Sequence, residues 1–511
     1  MELSVAKLSN DPLFLSLLLL LPLTIWLWLK LHANGREKLN QLPSPPKLPL
    51  IGNIHQLGKL PHRSLRDLSR KYGSLLLLQL GHNPMLVVSS ADMIKEIVKN
   101  HDIAFSGRPR TTAASILLYG CTDIAFAPYG EYWRQARKIC VTELLSLHRV
   151  NSFQFVRDEE VEDTIEKLHR ASFNGEAVNL SELLMVVSNN VVSRSALSRK
   201  YDDGDGKSKF GLLARRLLVL LMSSSVGDMF AYLNWVDVVR GFTSSLKQVN
   251  KEMDTYFDQI IEENRSSNNN GERDFLSIIL KLQQDGLLDM DLTLDNIKAI
   301  ILDMLVGGTD TTSTTLEWVM AELMRNPNAM KKLQKEIRDV VGNKPKIDMN
   351  DVNQMEYLKC VVKEALRLHP VVPLLVPRQT TSKVNLGGYE IPPNVTVFFN
   401  VWAVQRDPEL WEKPEEFIPE RFENSSGDFK GQDFEYLPFG FGRRGCPGMA
   451  FAVAFILHMV ANLLYWFDWE LTDGENAENL DMDELYGLTV CKKVPLRVLP
   501  ILQNPTRGRA N

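Results

Sequence analysis

Residues Pro438–Gly448 read PFGFGRRGCPG, and an apolar run, MAFAVAFILHMVANLLYW, begins at Met449. Glycines, two adjacent arginines and a cysteine crowd into a loop that precedes a helix-like segment. Proline favours the first helical position, so Pro447 predicts Cys446 at the N-cap. Backbone amides and the helix dipole then point at the sulfur, and both predict a lowered thiol pKa. Gly440, Gly442 and Gly448 allow turns that side chains would block, and close approach of a flat object. A buried thiolate needs a compensating cation, and a metal can supply it.

The chain holds five cysteines, Cys121, Cys140, Cys360, Cys446 and Cys491, with no C-x-x-C pair. That scatter excludes a disulfide framework and a structural zinc site of the usual spacing. Zinc at Cys446 would need three more ligands that no neighbouring Cys or His supplies. Haem iron needs one axial protein ligand, and a nearby arginine such as Arg444 suits a haem propionate. The other reading of the loop, taken alone, is a structural glycine turn around a core cysteine.

Working outward, the 511 residues are 44% hydrophobic with a formal net charge of -5, enough apolar material for a large core. No basic face dominates, so a nucleic-acid partner is not expected. Leu13–Leu29 is an uncharged apolar run, followed by Lys30, Arg36 and Lys38. This reads as a single uncleaved anchor in the endoplasmic reticulum membrane with the catalytic part in the cytosol. Three regions are expected: an anchor over 1–31, a proline-rich hinge over 32–52 and a catalytic domain over 53–511. The prolines make the hinge a stiff spacer. Most of the chain has helical spacing, with strand-like runs at SLLLLQL, PMLVVSS and VNLGGYEIPPNVTVFFN. The clearest helix is predicted from an N-cap at Thr293 to Asn326, stopped by Pro327. At its middle lies GGTDTT, although glycine costs a helix up to about 1 kcal/mol against alanine.

The loop resembles the haem-ligand signature of the cytochrome P450 family, F-x-x-G-x-R-x-C-x-G, at Phe439, Gly442, Arg444, Cys446 and Gly448. EALR at Glu364–Arg367 is similar to the family's E-x-x-R motif, and PERF at Pro419–Phe422 to the segment that completes that network. WRQAR at Trp133–Arg137 resembles its W-x-x-x-R motif, and GGTDTT at Gly307–Thr312 its oxygen-binding groove. These motifs, in order, cover nearly the whole chain. The resemblance implies a mainly α fold with a minor β component, preceded by an N-terminal transmembrane helix.

The resemblance also implies roles. Cys446 would be the thiolate ligand of haem b, with Trp133, Arg137, Arg378, Phe439 and Arg444 contacting the cofactor. Glu364 and Arg367 share a helix face, and with Arg421 they would form a buried carboxylate–guanidinium network behind the loop. Gly307 and Gly308 would widen the groove, and Asp310 with Thr311 would be the acid–alcohol pair that delivers protons. Ile116, Leu117, Gly307, Val371, Leu375 and Leu488 would line an apolar substrate pocket. The proline hinge, FAPYGEYWRQARKIC and GLTVCKKVPL look like the plant microsomal group of specialised metabolism. Its members take electrons from NADPH through NADPH-cytochrome P450 reductase, which a patch at Arg134, Lys138 and Arg443 could dock.

The expected reaction is monooxygenation: one atom of dioxygen enters a small hydrophobic metabolite such as a terpenoid, an indole alkaloid or a phenolic. Hydroxylation, epoxidation and oxidative cyclisation all fit. The alternatives are rearrangement or dehydration on the same scaffold without net oxygenation, and a non-catalytic haem protein that senses a gas or carries electrons.

Overall fold

The computed structural model describes residues 41–200, 209–223, 225–266, 274–288, 290–423, 427–472, 474–487 and 489–503. The expected anchor over 1–31, the first part of the hinge and the pocket candidate Leu488 lie outside the described residues. The helices that position the site are α1 (Thr112–Leu117), α2 (Glu131–Ile139), α3 (Leu180–Leu197), α4 (Leu294–Arg325), α5 (Glu356–Leu368) and α6 (Met449–Trp466).

Helix α4 begins where its sequence predicts. The Thr293 hydroxyl accepts from the Asn296 amide, and the Asn296 side chain accepts from the Thr293 amide. This capping box satisfies two N-terminal amides that a helix otherwise leaves without partners. The helix runs 32 residues to Arg325, ahead of Pro327, and is buried along most of its length. It packs along α3 and also contacts α5 and α6. Helix α6 is apolar all round because it is a core helix, with nearly all of its second half buried.

The strands are β1 (Leu75–Leu80), β2 (Asn83–Val88), β3 (Val178–Asn179), β4 (Arg378–Gln379), β5 (Val384–Leu386), β6 (Tyr389–Ile391), β7 (Thr396–Phe399), β8 (Phe467–Leu471), β9 (Glu484–Tyr486), β10 (Val490–Lys492) and β11 (Arg497–Leu502). The largest sheet has the order β1-β2-β7-β4, with β2 and β7 parallel and the other pairs antiparallel. Leu75, Leu77, Leu86 and Val88 face one core, whereas Leu76, Leu78, Met85 and Val87 face another. Burial on both faces explains why these strands are continuously apolar instead of alternating.

The described part of the hinge does not stand off as a spacer. Leu42 is buried, the Leu77 amide donates to the Pro43 carbonyl at 2.8 Å, and Gly52 pairs with Leu80. Asn53, fully buried, ties the segment down by donating to the Pro45 and Pro46 carbonyls and accepting from the Gln79 amide.

Candidate active site

The cysteine loop is folded by its own backbone. Gly440 and Gly442 take left-handed φ values of 71° and 61°, and the Cys446 amide donates to the Phe439 carbonyl at 2.9 Å. A Cβ on Gly442 would lie 2.6 Å from an Asp102 carboxylate oxygen, so this glycine makes room for that carboxylate. Helix α6 starts at Met449 with Gly448 as its N-cap, two residues later than Pro447 suggests. The amides of Gly448 and Met449 nevertheless donate to the Cys446 sulfur. Burial is the larger effect, so the thiol's pKa lies above its ordinary value, opposite to the sequence expectation. Metal coordination is what removes such a proton outright. Cys446 keeps exposed surface, as a ligand to a further group requires.

Around the loop lies a cluster of guanidiniums. Arg137, on α2, donates to the Gly445 carbonyl at 2.6 Å. Arg378 opens β4 and donates to the Phe441 carbonyl at 2.7 Å, while its Nη1 is buried without a hydrogen-bond partner. Arg444 donates to the carbonyls of Ser106, Ile124 and Ala127, and its guanidinium stacks 4.2 Å above the Trp133 ring. Trp133 spends its own N–H on the Ile124 carbonyl. A further arginine, Arg108, is buried beside them and donates to the Ala125, Val376 and Pro377 carbonyls. Phe439 is half-buried, edge-on to Phe429 at 5.8 Å.

Burial and mutual repulsion push these cations down: Arg378 to about 10, Arg444 to about 9, and Arg108 well below its ordinary value. The carboxylates that face them are Asp102 and Asp123. Four guanidiniums against two carboxylates, one of which, Asp102, also pairs with the exposed Arg443, leave at least two positive charges. A haem carries two propionates, so the donor set fits that group.

The E-x-x-R residues meet as their spacing predicts. Arg367 donates through Nε and Nη2 to both Glu364 oxygens at 2.8 and 2.9 Å, and Arg421 adds a third bond at 3.0 Å. Glu364 and Arg367 are fully buried. Arg367 also donates to the Gln405 carbonyl, while the Gln405 side-chain oxygen accepts from the Leu437 amide, just before the loop. Gln405 thus carries the network into the loop.

On α4, the two glycines differ. A Cβ at Gly307 would meet nothing within 4 Å, whereas one at Gly308 would sit 3.0 Å from Val192 on α3. Gly307 alone opens a groove; Gly308 lets two helices approach, contrary to the shared widening role expected. Thr311 donates to the Gly307 carbonyl at 2.6 Å. Asp310 instead accepts from the Thr489 hydroxyl at 2.6 Å, and Thr489 lies 3.3 Å from the Thr314 hydroxyl. Asp310 and Thr311 therefore have separate partners. Burial raises the Asp310 pKa, and the Thr489 bond partly opposes it.

Of the pocket candidates, Ile116 and Leu375 are half-buried and Leu375 packs on Gly440. Leu117 and Val371 are 1% and 6% exposed and belong to the main core, so they present almost no surface to a cavity. Val306 and Val372 are half-buried in their place.

The family model described as Cytochrome P450 matches residues 42–499. The chain belongs to the cytochrome P450 family. Phenylacetaldehyde oxime monooxygenase of Prunus mume is 52% identical over 475 residues, covering 92% of this chain and 90% of that protein. Desmethylyatein synthase of Sinopodophyllum hexandrum is 48% identical, covering 91% and 94%, and tabersonine/lochnericine 19-hydroxylase of Catharanthus roseus 46%, covering 91% and 93%. A zebra fish cytochrome P450 solved with progesterone superposes with a TM-score of 0.75 at 27% identity, over 86% of this chain and 99% of that one. This P450 is a monooxygenase of the plant class II type, with haem bound by a cysteine thiolate and electrons supplied by a redox partner.

Sequence reasoning missed Arg108, Asp123, Asp303, Gln405 and the bond of Thr489 to Asp310. Two signals were available in the sequence: Asp123 and Asp303 are single charges in the apolar runs CTDIAF and IILDMLV.

Proposed function

We propose that this P450 uses Cys446 as the thiolate ligand and inserts one atom of dioxygen into a small hydrophobic plant specialised metabolite. Terpenoids, indole alkaloids and phenolics are the substrate classes, and hydroxylation, epoxidation and oxidative cyclisation the outcomes. The observation that carries this reading is the Cys446 sulfur under two helix amides, beside a guanidinium cluster with two charges in excess. Haem bound there supplies dioxygen activation, and thiolate ligation promotes O–O cleavage.

The chain's own residues do the rest. Arg137, Arg378 and Arg444 would hold the propionates, and Trp133 keeps the Arg444 guanidinium in place. Glu364, Arg367 and Arg421, through Gln405, keep the loop rigid. Gly307 leaves open space in the middle of α4, and the Thr311 hydroxyl, donating to the Gly307 carbonyl, keeps its oxygen lone pairs free to accept. Asp310, its pKa raised by burial, holds a proton more readily than an exposed aspartate and exchanges it along the Thr489 and Thr314 hydroxyls. Ile116, Val306, Val372 and Leu375 offer an apolar wall to the substrate.

Electrons would come from NADPH through the membrane-bound reductase, docked on exposed Arg134, Lys138 and Arg443. Residues 1–31 would anchor the chain in the endoplasmic reticulum membrane as a single span, with residues 53–511 in the cytosol. Co-expression with a plant reductase and feeding of metabolite extracts should give products heavier by one oxygen. Reduced protein under carbon monoxide should show the red-shifted Soret band of an open thiolate haem, absent in Cys446→Ser. Product formed anaerobically without NADPH would instead establish the rearrangement reading.

A further inference from the structure

Two carboxyl groups meet beside the arginine cluster: Asp123, which enters the charge balance above, and Asp303, which has no place in the chemistry above. Asp123 lies in the loop between α1 and α2 and is fully buried. Asp303 lies on α4, one turn before Gly307, and is half-buried, with burial the main influence on its carboxyl. Their side chains are in hydrogen-bond contact.

The other bonds of the pair are fixed by the backbone. Asp303 Oδ2 accepts from the amides of Ile124 and Ala125, at 2.5 and 3.1 Å, and Asp123 Oδ2 accepts from the Phe126 amide at 2.7 Å. The remaining Asp123 oxygen, Oδ1, is buried and meets no N–H or O–H donor. Two ionised carboxylates cannot satisfy each other in a buried site, whereas an acid and a carboxylate can. A proton on Asp303 gives Asp123 a side-chain donor in addition to backbone amides.

The same short segment holds the arginines from its other side. The Ile124 carbonyl accepts from Trp133 and Arg444, the Ala125 carbonyl from Arg108, and the Ala127 carbonyl from Arg444. The geometry points to Asp303 as a protonated positioning residue: its shared proton with Asp123 clamps Ile124–Ala127 to α4 and so fixes the guanidiniums that receive the haem propionates. The last step rests on the propionate reading above.

Charges around the pair agree with that assignment. Arg108 and Arg444 face Asp123, the neutral groups Tyr132 and Cys140 face Asp303, and Cys121 lies near Asp123. Burial raises Asp123 to about 6 and Asp303 well above the carboxylate range, the Asp123 charge adding to the latter. At neutral pH the charge then sits on Asp123, beside Arg108, and the proton on Asp303. The count of two unbalanced guanidinium charges depends on this proton.

Infrared spectra of the purified full-length holoprotein test the proton directly. A buried protonated carboxyl should give a carbonyl stretch above the amide band, shifted in D2O and lost in Asp303→Asn. Transfer of haem to excess apomyoglobin tests the positioning. Asparagine copies a protonated aspartate, since it keeps an acceptor for the two amides and a donor to Asp123. Asp303→Asn should therefore release haem at close to the wild-type rate, whereas Asp303→Ala should release it about tenfold faster, the equivalent of one lost buried hydrogen bond. Asp123→Asn, which removes the charge that faces Arg108, should also accelerate release. If no carboxyl band responds to either substitution, or Asp303→Asn releases haem as fast as Asp303→Ala, the shared proton is refuted. Failure of the propionate reading is distinct: the band would remain, and none of the three variants would change haem transfer.

Discussion

A hydroxyl in this site acts by what it leaves unsatisfied as much as by what it bonds. Thr311 donates to a helix carbonyl, so Thr311→Ala removes a bond that the helix can spare. Haem content and the carbon monoxide spectrum should stay as in the wild type, while product formed per NADPH falls. An unchanged yield would remove Thr311 from proton delivery. Thr489 offers a test with a defined sign. Asp310's folded pKa is raised, so it keeps its proton to higher pH than a free aspartate. Its contribution to stability is present below the ordinary carboxylate pKa and is lost as pH rises through the folded value. Thr489→Val removes a bond to the ionised form and should raise the Asp310 pKa further. The alkaline limb of the kcat–pH profile, where a proton donor is lost, should then move to higher pH; a limb that stays in place would show that Asp310 does not govern it.

At the scale of elements, the two glycines of α4 make opposite predictions. Gly307→Ala places a methyl in open space and gains helix propensity, worth about 0.5–1 kcal/mol. Gly308→Ala drives a methyl against Val192 and should cost about 1–3 kcal/mol through overpacking. Thermal midpoints should therefore rank Gly307→Ala at or above wild type and Gly308→Ala below it; the reverse order would contradict the packing described for α3 and α4. The sequence alone could not separate these neighbours, because Val192 lies more than a hundred residues away. It did place α4 within one residue at each end, since Thr293, Asn296 and Pro327 are local signals. The strand runs were legible for the same reason, because their β-rich composition is continuous. The start of α6 was misplaced because Gly448, not Cys446, is the N-cap. The motif residues of the site could be read from spacing, whereas Arg108, Gln405 and the Asp123–Asp303 contact could not. Their partners are mostly backbone carbonyls and amides of distant segments, which leave no trace in side-chain pattern.

For the whole molecule, the guanidinium cluster makes two states differ. Replacing Arg378 by methionine removes a buried cation from a repulsive group, at the loss of one bond to the Phe441 carbonyl and of the 3.6 Å ion pair with Asp102. Relief of the repulsion from Arg137 offsets part of that loss, and Asp102 keeps Arg443 as a partner at 3.4 Å. The haem-free chain should thus lose little stability in Arg378→Met, while the holoprotein should lose haem about tenfold faster, or about 1.4 kcal/mol. Equal loss in both states would show that Arg378 serves packing alone. The sheet pairings add a consequence of a different kind. β2 pairs with β7 and β3 with β11, so strands from the first half of the chain find partners near its end. Arg108 and Arg137 leave the ribosome long before Cys446, and contacts of such sequence separation form slowly. A nascent chain from which Cys446 has not emerged has no complete site, so haem can load only late in synthesis or after it, and until then the chain carries its excess positive charge without the propionates.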